Sequence, residues 1–255
     1  MGLYQHRVHL RGELKKAQRD YRTTWLFSNS TKRAEKKNAI DALEAATMRT
    51  YLELYFRDSL RDPSAWDAVA YHFGGIINSS RIWDITSEDR VNQVAERSIA
   101  DHSIDRKPIT DRSPRVLDFI RADVDCLFLQ NMNGPDLYLF PTFIVLFKSY
   151  QQFSIHDLNT VETIFSSIRF TEEEGVPNDS QIVGETYKYT NRNGTPDRRF
   201  ANNYRIPQVR YGGLHLRSPS GINDSYMFSN YGAFEAFEDA FRAHSKANLR
   251  SPRSR

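Results

Sequence analysis

Tyr231, Phe234, Phe237 and Phe241 recur at three- and four-residue steps near the end of the chain, with Ala233 and Ala240 beside them. That spacing puts them on one face of a helix, while Glu235, Glu238, Asp239 and Arg242 fall elsewhere. Each Phe gains about 1.5–3 kcal/mol when fully buried, so this helix must lie on something apolar. Ser229 or Asn230 is placed to cap its first turn. The residues before it read as strands, and the helix is therefore expected to close a sheet.

The strands are marked by period-two alternation and turn residues. Tyr187 and Tyr189 alternate with polar neighbours, and Asn191-Arg192-Asn193-Gly194 is a tight turn in which Asn and Gly tolerate positive φ. Val209 and Tyr211, then Leu214 and Leu216, continue the pattern. Ser218-Pro219-Ser220-Gly221 turns the chain, and residues 225–228 return as the partner strand of a hairpin. Upstream, Val124, Cys126 and Phe128 alternate with Asp125, Leu127 and Leu129. Further strands are expected around Pro141, at 153–156 and at 164–170, with the acidic loop 172–179 between the two halves.

Residues 1–102 read as helical. Leu3, Leu10, Leu14, Ala17, Tyr21 and Trp25 form a narrow seam, and Ile40, Leu43, Thr47, Tyr51, Leu54 and Tyr55 a second one. The polar break between them predicts an antiparallel helical hairpin. Shorter helices are expected from Asp62 onward, one started by Pro63-Ser64 and one by the box-like Thr86-x-x-Asp89. Residues 103–115 carry two prolines and several charges without periodicity, and read as a linker. The expected organisation is thus α+β. A helical region (1–102) and a linker (103–115) precede an antiparallel sheet or small barrel closed by a C-terminal helix (116–248), with a basic tail at 249–255.

Among 255 residues there are 16 Phe, 13 Tyr and 3 Trp, enough to fill a core. The net charge of +3 is mild for a dedicated nucleic-acid-binding chain. One cysteine, Cys126, excludes an intramolecular disulfide and reads as a small buried hydrophobe. No signal-like segment opens the chain, and no apolar run reaches the ~18 residues of a membrane span, so a cytoplasmic protein is expected. No phosphate loop, Ser elbow or HExxH motif occurs. Asp118, Asp123 and Asp125 could hold a divalent metal. A nuclease site would also need a strand-borne acid-x-Lys, whereas Asp105-Arg106-Lys107 falls in the expected linker and Glu13-Leu14-Lys15 on a helix. His6-x-x-His9 lacks a third ligand. Accordingly no catalytic residue, metal or cofactor is assigned.

Many antiparallel strands followed by one amphipathic helix resemble the pleckstrin-homology-like barrel. The string from Val176-Pro177-Asn178-Asp179 through Thr186–Ser218 to Gly221–Asn230 also resembles a module of uncharacterised bacterial proteins, sometimes found beside helicase or restriction-type partners. The resemblance covers residues 117–244 and implies binding of lipids, peptides or proteins more often than catalysis.

Between Thr186 and Arg217 stand Lys188, Arg192, Arg198, Arg199, Arg205, Arg210 and Arg217 against one acid, Asp197. Tyr187, Tyr189, Phe200, Tyr204 and Tyr211 are interleaved. Arginine forks suit carboxylates and phosphates, and aromatic faces suit stacking. Lys188, Arg192, Arg198, Arg199, Tyr204, Arg205 and Arg210 are therefore the candidate partner-binding residues. Solvated outer faces of strands, with Asp197 pairing locally, account for the same composition. Two functional readings follow. One is a non-catalytic binding or accessory module for a protein or other anionic partner, assembling through its N-terminal helices. The other is a nucleic-acid-binding or weakly nucleolytic component of a bacterial defence or repair system. A membrane surface fits less well, because no exposed apolar anchor accompanies the basic residues.

Overall fold

The computed structural model describes residues 3–24, 30–48, 51–90, 102–191 and 193–249. They fall into two units, Met1–Tyr55 with Val116–Asp123, and Phe56–Arg115 with Val124–Arg255.

In the first unit, α1 (Leu3–Thr24) and α2 (Ser30–Met48) form the expected hairpin. Lys36 pairs with Asp20 at 2.7 Å and the Gln18 amide donates to Glu44 at 3.2 Å, so contacts run in opposite directions along the two helices. Helix was expected to continue to Tyr55. Instead β1 (Leu52–Leu54) pairs in parallel with β4 (Ile120–Ala122). The backbone there bonds to a segment more than sixty residues away, which a local pattern cannot reveal. Tyr51 is gripped by two arginines: Arg11 donates to its hydroxyl at 3.2 Å, and Arg121 lies 4.0 Å above its ring.

The second unit begins with α3 (Pro63–Ile77). Asp62 caps it, accepting from the Ser64 and Ala65 amides, and Pro63 occupies the first turn, where no N–H is needed. Trp66, Val69, Phe73 and Ile76 make its buried face. Next come β2 (Ile82–Arg90) and β3 (His102–Pro108), in place of the helix and the linker expected there. In β2, Ile82 and Trp83 point to opposite faces of a sheet covered on both sides, and that nonlocal pairing overrides the box-like Thr86-x-x-Asp89 signal. The charges of residues 103–108 belong to an edge strand, where charge and a terminal proline deter further pairing. The apolar pattern at 91–99 lies outside the described residues, as does the basic tail beyond Leu249.

A four-stranded antiparallel meander follows, made of β5 (Leu127–Leu129), β6 (Asp136–Leu139), β7 (Phe143–Ser149) and β8 (Gln152–Asp157). Then β9 (Glu162–Thr171), β10 (Gln181–Tyr187), β11 (Arg205–Arg217) and β12 (Asn223–Phe228) join β2 and β3 in a six-stranded antiparallel sheet. The thirteen-residue β11 is its spine, paired with β9 along one edge and with β10 and then β12 along the other. The chain is thus α+β, with N-terminal helices, antiparallel sheets apart from the β1–β4 pair, and a C-terminal helix. No described helix is long and apolar enough to cross a membrane.

That closing helix, α4 (Tyr231–Asn248), carries the aromatic stripe. Asn230 caps it by accepting from the Ala233 amide at 3.0 Å, and Phe234, Phe237, Ala240, Phe241 and His244 are buried. Phe234 lies against Gly212 of β11 so closely that a Cβ there would collide with its ring. Phe73 of α3 meets Phe237 at 5.9 Å. Leu127, Leu129, Leu137 and Leu139 of the meander share one apolar interior with Leu214, Leu216, Phe237 and Phe241. The helices are antiparallel, since Asn248 exchanges 2.8 Å hydrogen bonds with the Asp62 backbone. His244 donates from Nε2 to the Pro141 carbonyl at 2.8 Å, and burial pushes its pKa down, so the ring is neutral.

This packing yields a contrast measurable by thermal or chemical denaturation. Phe237→Ala should cost about 3–5 kcal/mol, whereas Glu238→Ala, which removes one surface pair with Arg242, should cost less than about 1 kcal/mol. Gly212→Ala should also destabilise, by about 1–3 kcal/mol, because Phe234 must move aside. Equal stabilities for the Phe237 and Glu238 variants would mean that the stripe does not face the core.

Candidate functional site

The connection between β10 and β11 holds most of the basic residues. Tyr187 pairs with Arg205, and the Lys188 amide donates to the Tyr204 carbonyl, so the hairpin stays closed at its base. Beyond it the loop is built around a buried carboxylate. Asp197 is 2 % exposed. It accepts from the Arg199 amide at 3.0 Å, from Arg199 Nε at 2.9 Å and from Arg199 Nη2 at 2.6 Å. Asn203 spans the loop, accepting from the Tyr189 amide and donating to the Tyr189 carbonyl. Tyr189 and Phe200 stack at 4.0 Å, tilted by only 17°. The tight turn falls where expected: the Gly194 amide donates to the Asn191 carbonyl at 2.8 Å, and Gly194 takes a φ of 80°.

Most cations of the region have acid partners. Arg199, two-thirds exposed, is paired with Asp197; Lys188 lies 3.3 Å from Glu173, and Arg205 lies 3.0 Å from Glu185. Arg217 pairs with Glu162 at 2.6 Å. The Tyr204 hydroxyl and then Glu173 raise the pKa of Lys188, and Tyr187 followed by Glu185 does the same for Arg205. Glu173, Glu185 and Glu162 lie outside or at the margin of the basic stretch, so the sequence count overstates the free positive charge. Arg198 is exposed beside Arg199, and Tyr204 is half exposed. Arg210 is set apart: it lies 5.2 Å from the Tyr231 ring, on the face of β11 opposite Arg205. Arg192 lies outside the described residues. The loop therefore groups Lys188, Arg198, Arg199, Tyr204 and Arg205, but not Arg210.

Behind the acidic loop is a lock that the sequence pattern did not disclose. Arg106 of β3 has its guanidinium 4.3 Å from the Trp83 ring and 4.2 Å from that of Phe170. It donates to both carboxylate oxygens of Glu172, at 2.9 and 3.0 Å. The Tyr211 hydroxyl donates to Glu172 at 2.7 Å. Burial alone would raise Glu172, but these bonds and the Glu174 amide hold its pKa below the usual carboxylate range. Trp83, Val209, Tyr211 and Met227 form the small core under this lock, with Val176 of the 172–179 loop packed on it.

Asp105-Arg106-Lys107 is on a strand after all, with Lys107 opposite Asp84 of β2. The acid opposite it is nonetheless closed off. Asp84 is buried and accepts from the Met132 amide of the β5–β6 turn at 2.8 Å, while Lys107 stays exposed and donates to Asn133 of the same turn at 2.5 Å. Asp224 of β12 accepts from the Asn131 amide group at 2.9 Å, and the buried Tyr226 hydroxyl lies near both acids. Of the acids at 118–125, Asp118 is paired with Arg11, and Asp125 falls in the other unit. Among the described residues no group of three or more His, Cys, Asp or Glu is placed to hold a metal. Burial pushes the Cys126 thiol up to about 12, leaving it protonated and inert at neutral pH.

Comparison with protein-family models, with curated proteins and with solved structures gave no match.

The covered acids make stability depend on pH. Burial, with Asp84 adding repulsion, pushes Asp224 up to about 6. A carboxyl raised on folding favours the native state below its unfolded pKa, and that contribution is lost as pH rises through the folded value. Ionising Asp224 should therefore cost on the order of 2–3 kcal/mol between about pH 4 and pH 7.5. Asp224→Asn keeps an oxygen for Asn131 and should raise the melting temperature near pH 7.5 while flattening its fall from pH 5 to 8. An unchanged pH profile in this variant would rule out Asp224 as the titrating group.

Proposed function

We propose that this protein is a binding module that recognises an acidic protein surface through its β10–β11 loop. The observation carrying this reading is Arg199: a buried carboxylate holds one edge of its guanidinium, and the rest reaches solvent beside Arg198. Fixing the fork beforehand removes much of the side-chain entropy that a free arginine loses on binding. Stacked Tyr189 and Phe200, with Asn203 bridging the loop, keep that surface rigid. Exposed Tyr204 adds an aromatic contact of a kind enriched in protein interfaces. The pleckstrin-homology-like reading is supported by the meander, the second sheet and the closing helix, although β2 and β3 enter that sheet from upstream of the expected barrel. The N-terminal hairpin is proposed to serve assembly.

Nucleic acid is the weaker reading, because cations already engaged by Glu173, Glu185, Asp197 and Glu162 release fewer counterions on meeting a phosphate backbone. Fluorescence anisotropy with Asp/Glu-rich peptides and with a DNA duplex, each over a salt series, separates the two. Arg198→Ala should leave the melting temperature unchanged and weaken peptide binding about tenfold. Arg199→Ala should weaken binding too, but also loosen the loop, since Asp197 loses its bonds to the Arg199 guanidinium. Tight duplex binding with a steep salt slope, or peptide binding unaffected by Arg198→Ala, would overturn the proposal.

A further inference from the structure

His156 of β8 is 7 % exposed, and each of its ring nitrogens meets a serine hydroxyl. Ser154 Oγ is 2.8 Å from Nε2, and Ser220 Oγ is 2.7 Å from Nδ1. Both serines are exposed, so a shielded imidazole sits between two hydroxyls that reach solvent. Burial lowers the pKa of His156, so at neutral pH the ring carries one N–H and one acceptor nitrogen. One serine must therefore give its proton to the ring.

Ser220 Oγ also lies 2.9 Å from Ser218 Oγ, which accepts from the Ile222 amide at 3.1 Å. When Ser220 donates to Ser218, it accepts in turn from His156 Nδ1–H. In that tautomer Nε2 is the acceptor nitrogen, and Ser154 donates to it. This is the order nucleophile, base and orienting group. The edge strand that carries Ser154 adds a further requirement of acyl transfer. Among the described residues β8 pairs only with β7. Alternate N–H groups of an antiparallel edge strand point away from the sheet, and the register with β7 turns that of Ile155 outward, where it could meet a developing oxyanion.

We propose that Ser154 and His156 form a nucleophile–base pair that accepts acyl groups from carboxylic esters, with Ser220 as the positioning residue that holds the imidazole. In the first step a bond forms between Ser154 Oγ and the ester carbonyl carbon, and the hydroxyl proton passes to His156 Nε2. The carbon–alkoxide bond then breaks, and the leaving oxygen takes that proton. Water, deprotonated by the same nitrogen, attacks the acyl-serine to release the acid and restore the hydroxyl. This activity is separate from the proposed binding loop, so either can fail without the other.

The full chain is treated with an aryl fluorophosphonate, which forms an Oγ–P bond as fluoride leaves, and the adduct is mapped by mass spectrometry. One adduct on Ser154 is expected, absent in Ser154→Ala and slowed about 100-fold or more in His156→Gln. Ser220→Ala should still be labelled, about tenfold more slowly. The wild-type labelling rate should rise with pH through an inflection below the usual histidine value. Thermal melts verify that each variant is folded, and if His156→Gln is not, the wild-type pH profile decides. The proposal is overturned by a folded wild type that takes no adduct, by an adduct on Ser220, by equal labelling of folded His156→Gln, or by a profile with no inflection in the acid range.

Discussion

Phe234 stands where residue 212 would place a side chain, and the second unit is arranged around that approach. A glycine on β11 lets α4 settle onto the sheet, where Phe234 stacks on Phe228 at 5.7 Å and meets the tilted Phe165 ring at 5.8 Å. With the helix seated, Phe237 and Phe241 complete the interior shared with the meander. At the far end, His244 and Asn248 bond to Pro141 and Asp62. One helix thereby ties the six-stranded sheet, the meander and α3 together. Its hydrogen bonds to Pro141 and Asp62 set the end of α4 where the apolar stripe alone would leave it free to slide.

The two faces of the six-stranded sheet are finished differently. The face toward α4 is apolar at its centre; at one margin Asp84, Asp224 and Tyr226 meet the β5–β6 turn, and further along β11 Arg210 lies beside Tyr231. The other face carries Trp83 and Tyr211, closed by Arg106 and Glu172. Buried ion pairs seldom add net stability over apolar replacements, because desolvation offsets most of the attraction. They do penalise alternatives: a shift of β3 by one residue would turn Arg106 to the opposite face and strand Glu172 without its cation. In this lock the gain is in register, and Phe170 and Trp83 supply cation–π attraction that repays part of the desolvation.

Elements whose partners are close in sequence were legible. The α4 stripe and its Asn230 cap, the β11–β12 hairpin, the strands flanking Pro141 and the 191–194 turn all follow from local spacing and turn chemistry. Misread segments take their structure from distant partners. Residues 86–89 look like the start of a helix, yet β2 runs through them in register with β3. Residues 103–108 look like a linker because an edge strand carries the charges that keep its open side unpaired. Residues 52–54 become strand only beside Ile120–Ala122. The same holds for side-chain clusters: Ser154 and His156 lie two apart on one strand, but Ser220 arrives from sixty-four residues away.

Charge was the least legible property, for a geometric reason. Counting Lys188 to Arg217 along the sequence finds one acid, yet antiparallel pairing brings β10 beside β11 and β9 beside its other edge, and each neighbour contributes a carboxylate. Glu185 reaches Arg205 across one ladder, and Glu162 reaches Arg217 across the other. Cross-strand pairs of opposite charge each contribute only a few tenths to about 1 kcal/mol, so their effect on stability is small. Their effect on the surface is larger, because each ion pair is a short dipole whose field falls off faster than that of a lone cation. A partner approaching this sheet meets little long-range attraction. The recognition proposed for the Asp197-centred loop would then rest on contacts made at close range, and on the rigidity of the loop more than on its charge.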